Sequence, residues 1–271
     1  GVLAGAASRQ AASARAFCET HGGTASDNYD ALLQRDDIDV VYIATPHNSH
    51  MAWTLKAMAA GKAVLCEKPL GLNHGEVLHL YGEAARRNVL LVEALMYLMH
   101  PRMHLAKRLI DDGAIGAITG FSSSFGFAFP FTPDHRLYNR DLAGGAILDI
   151  GIYPLTAARY LLGEPKSLAG EARLADTLVD AEAKAQLDYG DFTAYLHCSI
   201  DTDLAWVIQV KGNCGDPIEI SSSILAGCKF SVPFTELYLQ RSLQKIDDDH
   251  PDANLKSFVD DCSFFNASKF K

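Results

Sequence analysis

The sequence predicts an α/β fold: a doubly wound parallel sheet, followed by a second α+β domain with an open, mainly antiparallel sheet. Three observations predict it. Short apolar runs alternate with helical stretches early in the chain. Period-two alternation between turn signals takes over after Ser167. One early apolar run, Ala63 to Cys66, ends on Glu67-Lys68-Pro69, placing charged groups at the carboxyl end of a buried strand, where open α/β sheets bind ligands.

Taken in order, Val2 to Ala7 reads as a strand. Ala11 to His21 reads as a helix, with Ala12, Arg15, Ala16 and Glu19 at helical offsets and Gly22-Gly23 as its stop. Tyr29 to Leu33 gives a helical turn. Asp39 to Ala44 is β-branched and apolar, a buried strand ended by Thr45-Pro46. Asn48 or Ser49 caps the next helix, with Met51, Leu55, Met58 and Ala59 on one face. The Lys68 strand follows. Asn73 with Glu76 forms a capping pair for a helix through Arg87, and Val89 to Val92 is a further strand. Strand and helix alternating in this way give a parallel, Rossmann-type sheet with right-handed crossovers.

Beyond Pro101 the pattern changes. Helices are expected over Pro101 to Ile110 and Ala146 to Leu162. Ile118 to Phe129, Asp180 to Leu187, Phe192 to Ile200, Ala205 to Lys211 and Pro217 to Ile220 read as strands. Phe121, Phe125, Phe127, Phe129 and Phe131 are expected on one strand face, as core or subunit interface. The domains are drawn as 1–98 and 99–271.

Composition narrows the function. The chain has 271 residues, 48% hydrophobic and 21% charged, with a net charge of −9. A dispersed acidic excess argues against nucleic acid. No apolar run has membrane-spanning length, and the start lacks the basic region of a signal peptide. The six cysteines show no C-x-x-C pair, so reduced thiols and a cytoplasmic setting are expected. His100 and His104 stand four apart without a placed third ligand, so no metal site is assigned.

Three stretches carry a resemblance. Ala44-Thr45-Pro46 with His50, Ala60 to Pro69, and Gly144-Gly145-Ala146-Ile147-Leu148-Asp149-Ile150-Gly151-Ile152-Tyr153 resemble the glucose–fructose oxidoreductase / inositol dehydrogenase family. Within it, the dihydrodiol dehydrogenases are most alike. The resemblance runs from about Val2 to Ile220. It implies a nicotinamide-dependent oxidoreductase acting on a polyol, a sugar or a trans-dihydrodiol. By the same resemblance Lys68 contacts substrate and nicotinamide ribose, Tyr153 is the acid/base, and Asp149 faces the substrate. Glu67, Lys68 and Pro69, with Thr45, Pro46 and His50, line the nicotinamide side.

Physical chemistry bears on these roles. Asp149 and Tyr153, four apart, share a helix face, and Pro154 strains that helix against Ile150. An unperturbed tyrosine has a pKa near 10, and a nearby Lys68 ammonium would favour the phenolate. Such a pair takes a hydroxyl proton while hydride leaves to the nicotinamide. At the tip of the first strand, Ser8-Arg9 offers a hydroxyl and a guanidinium where NAD binders carry a carboxylate. NADP is therefore expected, with NAD possible. The open antiparallel sheet is expected to form a homodimer.

Two features depart from the family. From Ser221 the match fades, with Leu255, Phe258, Val259 and Cys262 spaced as one amphipathic helix. No G-x-G-x-x-G occurs, and Val2 to Ala7 resembles the second Rossmann strand rather than the first. In the order 3-2-1-4-5-6 the first strand is central, so its absence leaves two facing edges unpaired. A non-catalytic or truncated relative that has lost cofactor binding is the alternative.

Overall fold

A computed structural model of the chain describes residues 1–221. They divide into two compact units, 1–94 and 95–221. The division precedes the 98/99 junction drawn from sequence because Leu95, Tyr97 and Leu98 pack into the second unit's core. The proposed tail helix around Phe258 lies outside the described residues.

The first unit holds two parallel sheets. Strands β1 (Gly5–Ala7) and β2 (Thr24–Ser26) form one; β3 (Val40–Ile43), β4 (Ala63–Cys66) and β5 (Leu91–Glu93) form the other, with β4 in the middle. Among the described residues β1 and β3 are not paired to each other or to a further strand. Helix α1 (Ala11–His21) has the expected bounds; it buries Ala14 and Cys18, one turn apart, while Ala12, Arg15, Ala16 and Glu19 are exposed. Gly22 ends it with φ +87°, a conformation that favours glycine. A short α2 spans Tyr29–Leu33.

Helix α3 (His50–Ala59) turns His50, Thr54, Ala57 and Met58 inward; of the expected face only Met58 is buried. Ser49 gives α3 no side-chain cap. Its hydroxyl instead donates to the Pro46 carbonyl (2.8 Å) and pairs with the Thr45 hydroxyl (2.7 Å), so the turn before the helix consumes it. Helix α4 (His74–Arg87) has the predicted cap: Glu76 N–H donates to Asn73 Oδ1 at 3.0 Å, and Glu76 Oε2 accepts from Leu72 N–H at 2.8 Å. Such a cap stabilises a helix by about 1 kcal/mol.

The second unit is built on one sheet. Helix α5 (Pro101–Asp111) leads into β6 (Ile118–Ala128). Then come α6 (Ile152–Leu162), β7 (Ser167–Leu174), β8 (Asp180–Asp188), β9 (Thr193–Ser199), β10 (Asp201–Gly212) and β11 (Ile218–Ser221). The sheet order is β11-β10-β6-β9-β8-β7, antiparallel throughout except for the parallel β6–β9 pair. Helix α6 packs on β6 and β9. Phe121, Phe125, Leu187, Ala194 and Leu196 meet Ala157, Ala158 and Leu161 in this core. Phe131 is exposed and lies beyond the end of β6, so it does not extend the phenylalanine row.

Candidate active site

The carboxyl ends of β3, β4 and β5 gather one set of predicted residues. Glu67 leaves β4 with its N–H donating to the Ile43 carbonyl of β3 at 2.8 Å. The buried Tyr42 hydroxyl donates to Glu67 Oε1, and Lys68 N–H reaches Glu67 Oε2 at 3.2 Å. The Lys68–Pro69 peptide bond is cis. Glu93, the last residue of β5, accepts from Leu70 N–H at 2.8 Å. Burial pushes its carboxyl above the usual carboxylate range; the neighbouring Glu67 adds to this, while the Leu70 N–H and Lys68 oppose it. Half-buried Lys68 thus stands within the field of two carboxylates. Thr45, two residues past the end of β3, is buried, and His50 is wholly buried. Burial drives the Cys66 thiol strongly up, making it a packing residue and not a nucleophile.

Ser8 and Arg9 follow β1. Ser8 Oγ accepts from Gln10 N–H at 3.3 Å, and Arg9 N–H donates to the Tyr29 hydroxyl at 3.1 Å, fixing the turn while the Arg9 residue stays exposed. No acidic residue occupies the first turn of α1. A guanidinium and a hydroxyl before a helix start free of carboxylate suit the 2′-phosphate of NADP. No G-x-G-x-x-G stretch occurs in the sequence.

In the second unit, Asp149 and Tyr153 are both buried. Asp149 lies in a π-helical turn, Ile147–Gly151, that runs directly into α6, so the expected single helix is two pieces. Pro154 lacks an N–H and crowds the Ile150 carbonyl; a wider turn relieves both. Arg136 Nη1 donates to Asp149 Oδ1 at 2.7 Å. The Tyr97 hydroxyl donates to the Tyr153 carbonyl at 3.0 Å, and the Tyr97 and Phe125 rings each meet the Tyr153 ring edge-on at 5.4 Å. Asp180 Oδ2 accepts from Ile147 N–H at 2.6 Å at the start of the π turn. A Cβ on Gly145 (φ +119°) would lie 2.2 Å from Asp180 Oδ1, which explains the glycine there.

Tyr42, Glu93, Tyr97, Arg136 and Asp180 were not singled out from sequence. Each acts across a long sequence separation, the shortest being the 13 residues from Arg136 to Asp149. His104 Nδ1 pairs with the Tyr160 hydroxyl at 3.0 Å, and among the described residues no cluster of three metal-ligating side chains occurs. No described helix is long and apolar enough to cross a membrane.

A parallel α/β unit with charged groups at its strand ends, followed by an open-sheet α+β unit, defines a Rossmann-type two-part protein. Residues 2–95 match the oxidoreductase family with an NAD-binding Rossmann fold, and residues 103–216 match the GFO/IDH/MocA C-terminal domain. The chain belongs to the glucose–fructose oxidoreductase / inositol dehydrogenase (GFO/IDH/MocA) family. It is 40% identical over 185 residues to dTDP-3,4-didehydro-2,6-dideoxy-alpha-D-glucose 3-reductase of Streptomyces violaceoruber, covering 68% of this chain and 54% of that one. It is 36% identical over 217 residues to trans-1,2-dihydrobenzene-1,2-diol dehydrogenase of Oryctolagus cuniculus, covering 77% and 64%. A crystal structure of a 3-ketoreductase from Actinomadura kijaniata with NADP and TDP-benzene superposes with a TM-score of 0.76 at 28% identity, covering 89% of this chain and 79% of that one. The chain spans between half and two thirds of the length of these two curated relatives.

Proposed function

We propose that this chain belongs to an NADP-dependent oxidoreductase that moves hydride between the cofactor and a carbinol carbon of a sugar or trans-dihydrodiol. The observation that carries the reading is Lys68, set just past the carboxyl end of the middle strand of a parallel sheet, beside Glu67 in the chain and within the electrostatic reach of Glu93. The relatives named above are a sugar-nucleotide reductase, a dihydrodiol dehydrogenase and an NADP-bound ketoreductase. All are enzymes, so the non-catalytic alternative finds no support among them.

Ser8 and Arg9 would hold the 2′-phosphate; Thr45, Pro46, Glu67, Lys68 and Pro69 would line the nicotinamide end. NADP, when bound, supplies the hydride acceptor. Lys68 would hydrogen-bond the substrate hydroxyl and orient it. Tyr153 would take the hydroxyl proton through its phenolic oxygen, and Asp149 would orient the substrate's other hydroxyls. Residues 1–98 then serve cofactor binding and 99–271 substrate binding and dimerisation. The test is turnover at saturating NADP with aldoses and a trans-dihydrodiol, using both the chain and a version extended at its start by a G-x-G-x-x-G strand and helix. Lys68→Met should abolish turnover with an unchanged circular dichroism spectrum. Unchanged turnover would overturn the assignment.

A homodimer through the six-stranded sheet is proposed as well, and the face turned away from α6 supports it. There Ser122, Lys184, Gln186, Tyr195 and His197 line a hollow of about 570 Å³, and Tyr195 is exposed. Sedimentation of a monomer at micromolar concentration would remove the dimer. A cytoplasmic site of action is proposed with it, and fractionation of the source cells tests that.

A further inference from the structure

His50 opens α3 with no exposure to solvent. Its Nδ1 lies 2.7 Å from the Pro69 carbonyl oxygen, and its Nε2 lies 2.7 Å from the Thr45 carbonyl oxygen. A carbonyl oxygen can only accept, so a hydrogen bond at both ends requires a proton on both ring nitrogens. A neutral imidazole carries one N–H and one lone pair. Its lone pair would then face a carbonyl oxygen at hydrogen-bond distance inside a buried site, where unpaired polar contacts are most costly.

The two carbonyls belong to different loops. Thr45 follows β3 and Pro69 follows β4, so the ring bridges the ends of two neighbouring strands. Thr45 is further tied through its hydroxyl to Ser49, one residue before His50. Glu67 bonds the Tyr42 hydroxyl and the Lys68 N–H on the far side of the same loop. His50 therefore adds a side-chain link between the Thr45-Pro46 loop and the Pro69 end of the Lys68 loop, beyond the Glu67 N–H bond to the Ile43 carbonyl.

We propose that His50 is a positioning residue: as an imidazolium it donates to Thr45 and Pro69 together, and so sets the spacing between the two loops that carry the cofactor-facing residues. The inference rests on the reading of Thr45, Pro46 and Lys68 given above. It also moves His50 from the lining of the site to the support behind it, since both ring nitrogens are spent on backbone.

The charged groups around the ring oppose one another. Burial pulls its pKa below the ordinary histidine value and Lys68 adds to that; the two carbonyls and the Glu67 carboxylate pull it back. The His47 ring lies edge-on with centroids 5.7 Å apart. The bridge is thus complete on the acid side, and as pH rises the ring gives up one proton and one of its two bonds. The Pro69 side of the Lys68 loop is then held to Thr45 by one bond of the two, while the β3–β4 ladder stays paired.

Histidine side-chain 15N spectra of the full chain without cofactor test this, with His50 assigned through its own backbone. The expected result is two protonated ring nitrogens at pH 5.5 and one at pH 8, with the backbone amides of Glu67 and Lys68 shifting at the same midpoint. His50→Gln, whose single amide group cannot serve two carbonyls on opposite sides, should remove that midpoint from the amides. If the variant does not fold, the wild-type titration decides alone. A ring with one N–H at both pH values, or amides that do not follow it, would overturn the proposal. Adding NADP is a separate arm: failure to shift Thr45 and Lys68 amides would refute their cofactor-facing role and leave the His50 result standing.

Discussion

The two units treat the same physical problem differently. In 95–221 one sheet of six strands runs without interruption, and a helix covers its inner face. In 1–94 five strands are divided two and three, with a shared apolar core bridging from Ala7 and Leu32 to Val41, Ile43 and Val64. Apolar burial thus holds the first unit together where backbone pairing does not. The difference teaches that strand pairing and core packing are separable: the core needs only apolar side chains at the right period, but a ladder needs a specific neighbour. One more parallel strand between β1 and β3 would restore the order 3-2-1-4-5-6. In that order, the glycine loop that receives the pyrophosphate follows the central strand.

The largest effect that sharpens the comparison is chemical. Tyr153→Phe, in the continuous unit, should lower kcat on the order of 10²-fold or more, the scale of a lost acid/base, while NADPH affinity stays unchanged. Steady-state kinetics beside a fluorescence titration checks this, and a parallel fall in affinity would contradict the division of labour. Next is Gly145→Ala. Its φ of +119° and the Asp180 carboxylate should make it cost about 1–3 kcal/mol in urea unfolding, with the loss confined to signals from the second unit.

Asn73→Ala should cost about 1 kcal/mol by removing the α4 cap, and should be read in first-unit signals alone. The smallest effect is a pH dependence. Glu93 has a raised folded pKa, so the folded state holds its proton to higher pH than the unfolded state does. Its contribution destabilises as pH rises from the ordinary glutamate value through the raised one, and that penalty vanishes on the acid side. Glu93→Gln should flatten this slope in urea midpoints taken across the window, and an unchanged slope would count against it.

What could be read from sequence was local. Helix α1, the turn α2 and the Asn73–Glu76 cap depend on residues a few places apart, and their spacing shows them. Strand β2 was missed because Thr24–Ser26 is three residues long, half exposed and without apolar alternation. The parallel β6–β9 pair was missed because a period of two encodes a face, not a partner. The Glu67-Lys68-Pro69 stretch was visible as chemistry at a strand end, but Tyr42, whose hydroxyl holds Glu67, sits 25 residues earlier among apolar neighbours. Gly144-Gly145 was visible as a motif, and its cause, Asp180 against the helix start, only in three dimensions.

The claim at the centre is the proposal that a strand and glycine loop between β1 and β3 hold the pyrophosphate, with Ser8, Arg9 and the Lys68 loop proposed to face the two ends of the cofactor. NADPH fluorescence titration of this chain, beside a version extended at its start by a strand and G-x-G-x-x-G helix, tests it directly. The account predicts weak binding by the chain and tight binding by the extended version. Tight binding by the chain alone would mean that β1 is not the second Rossmann strand, and would contradict the account.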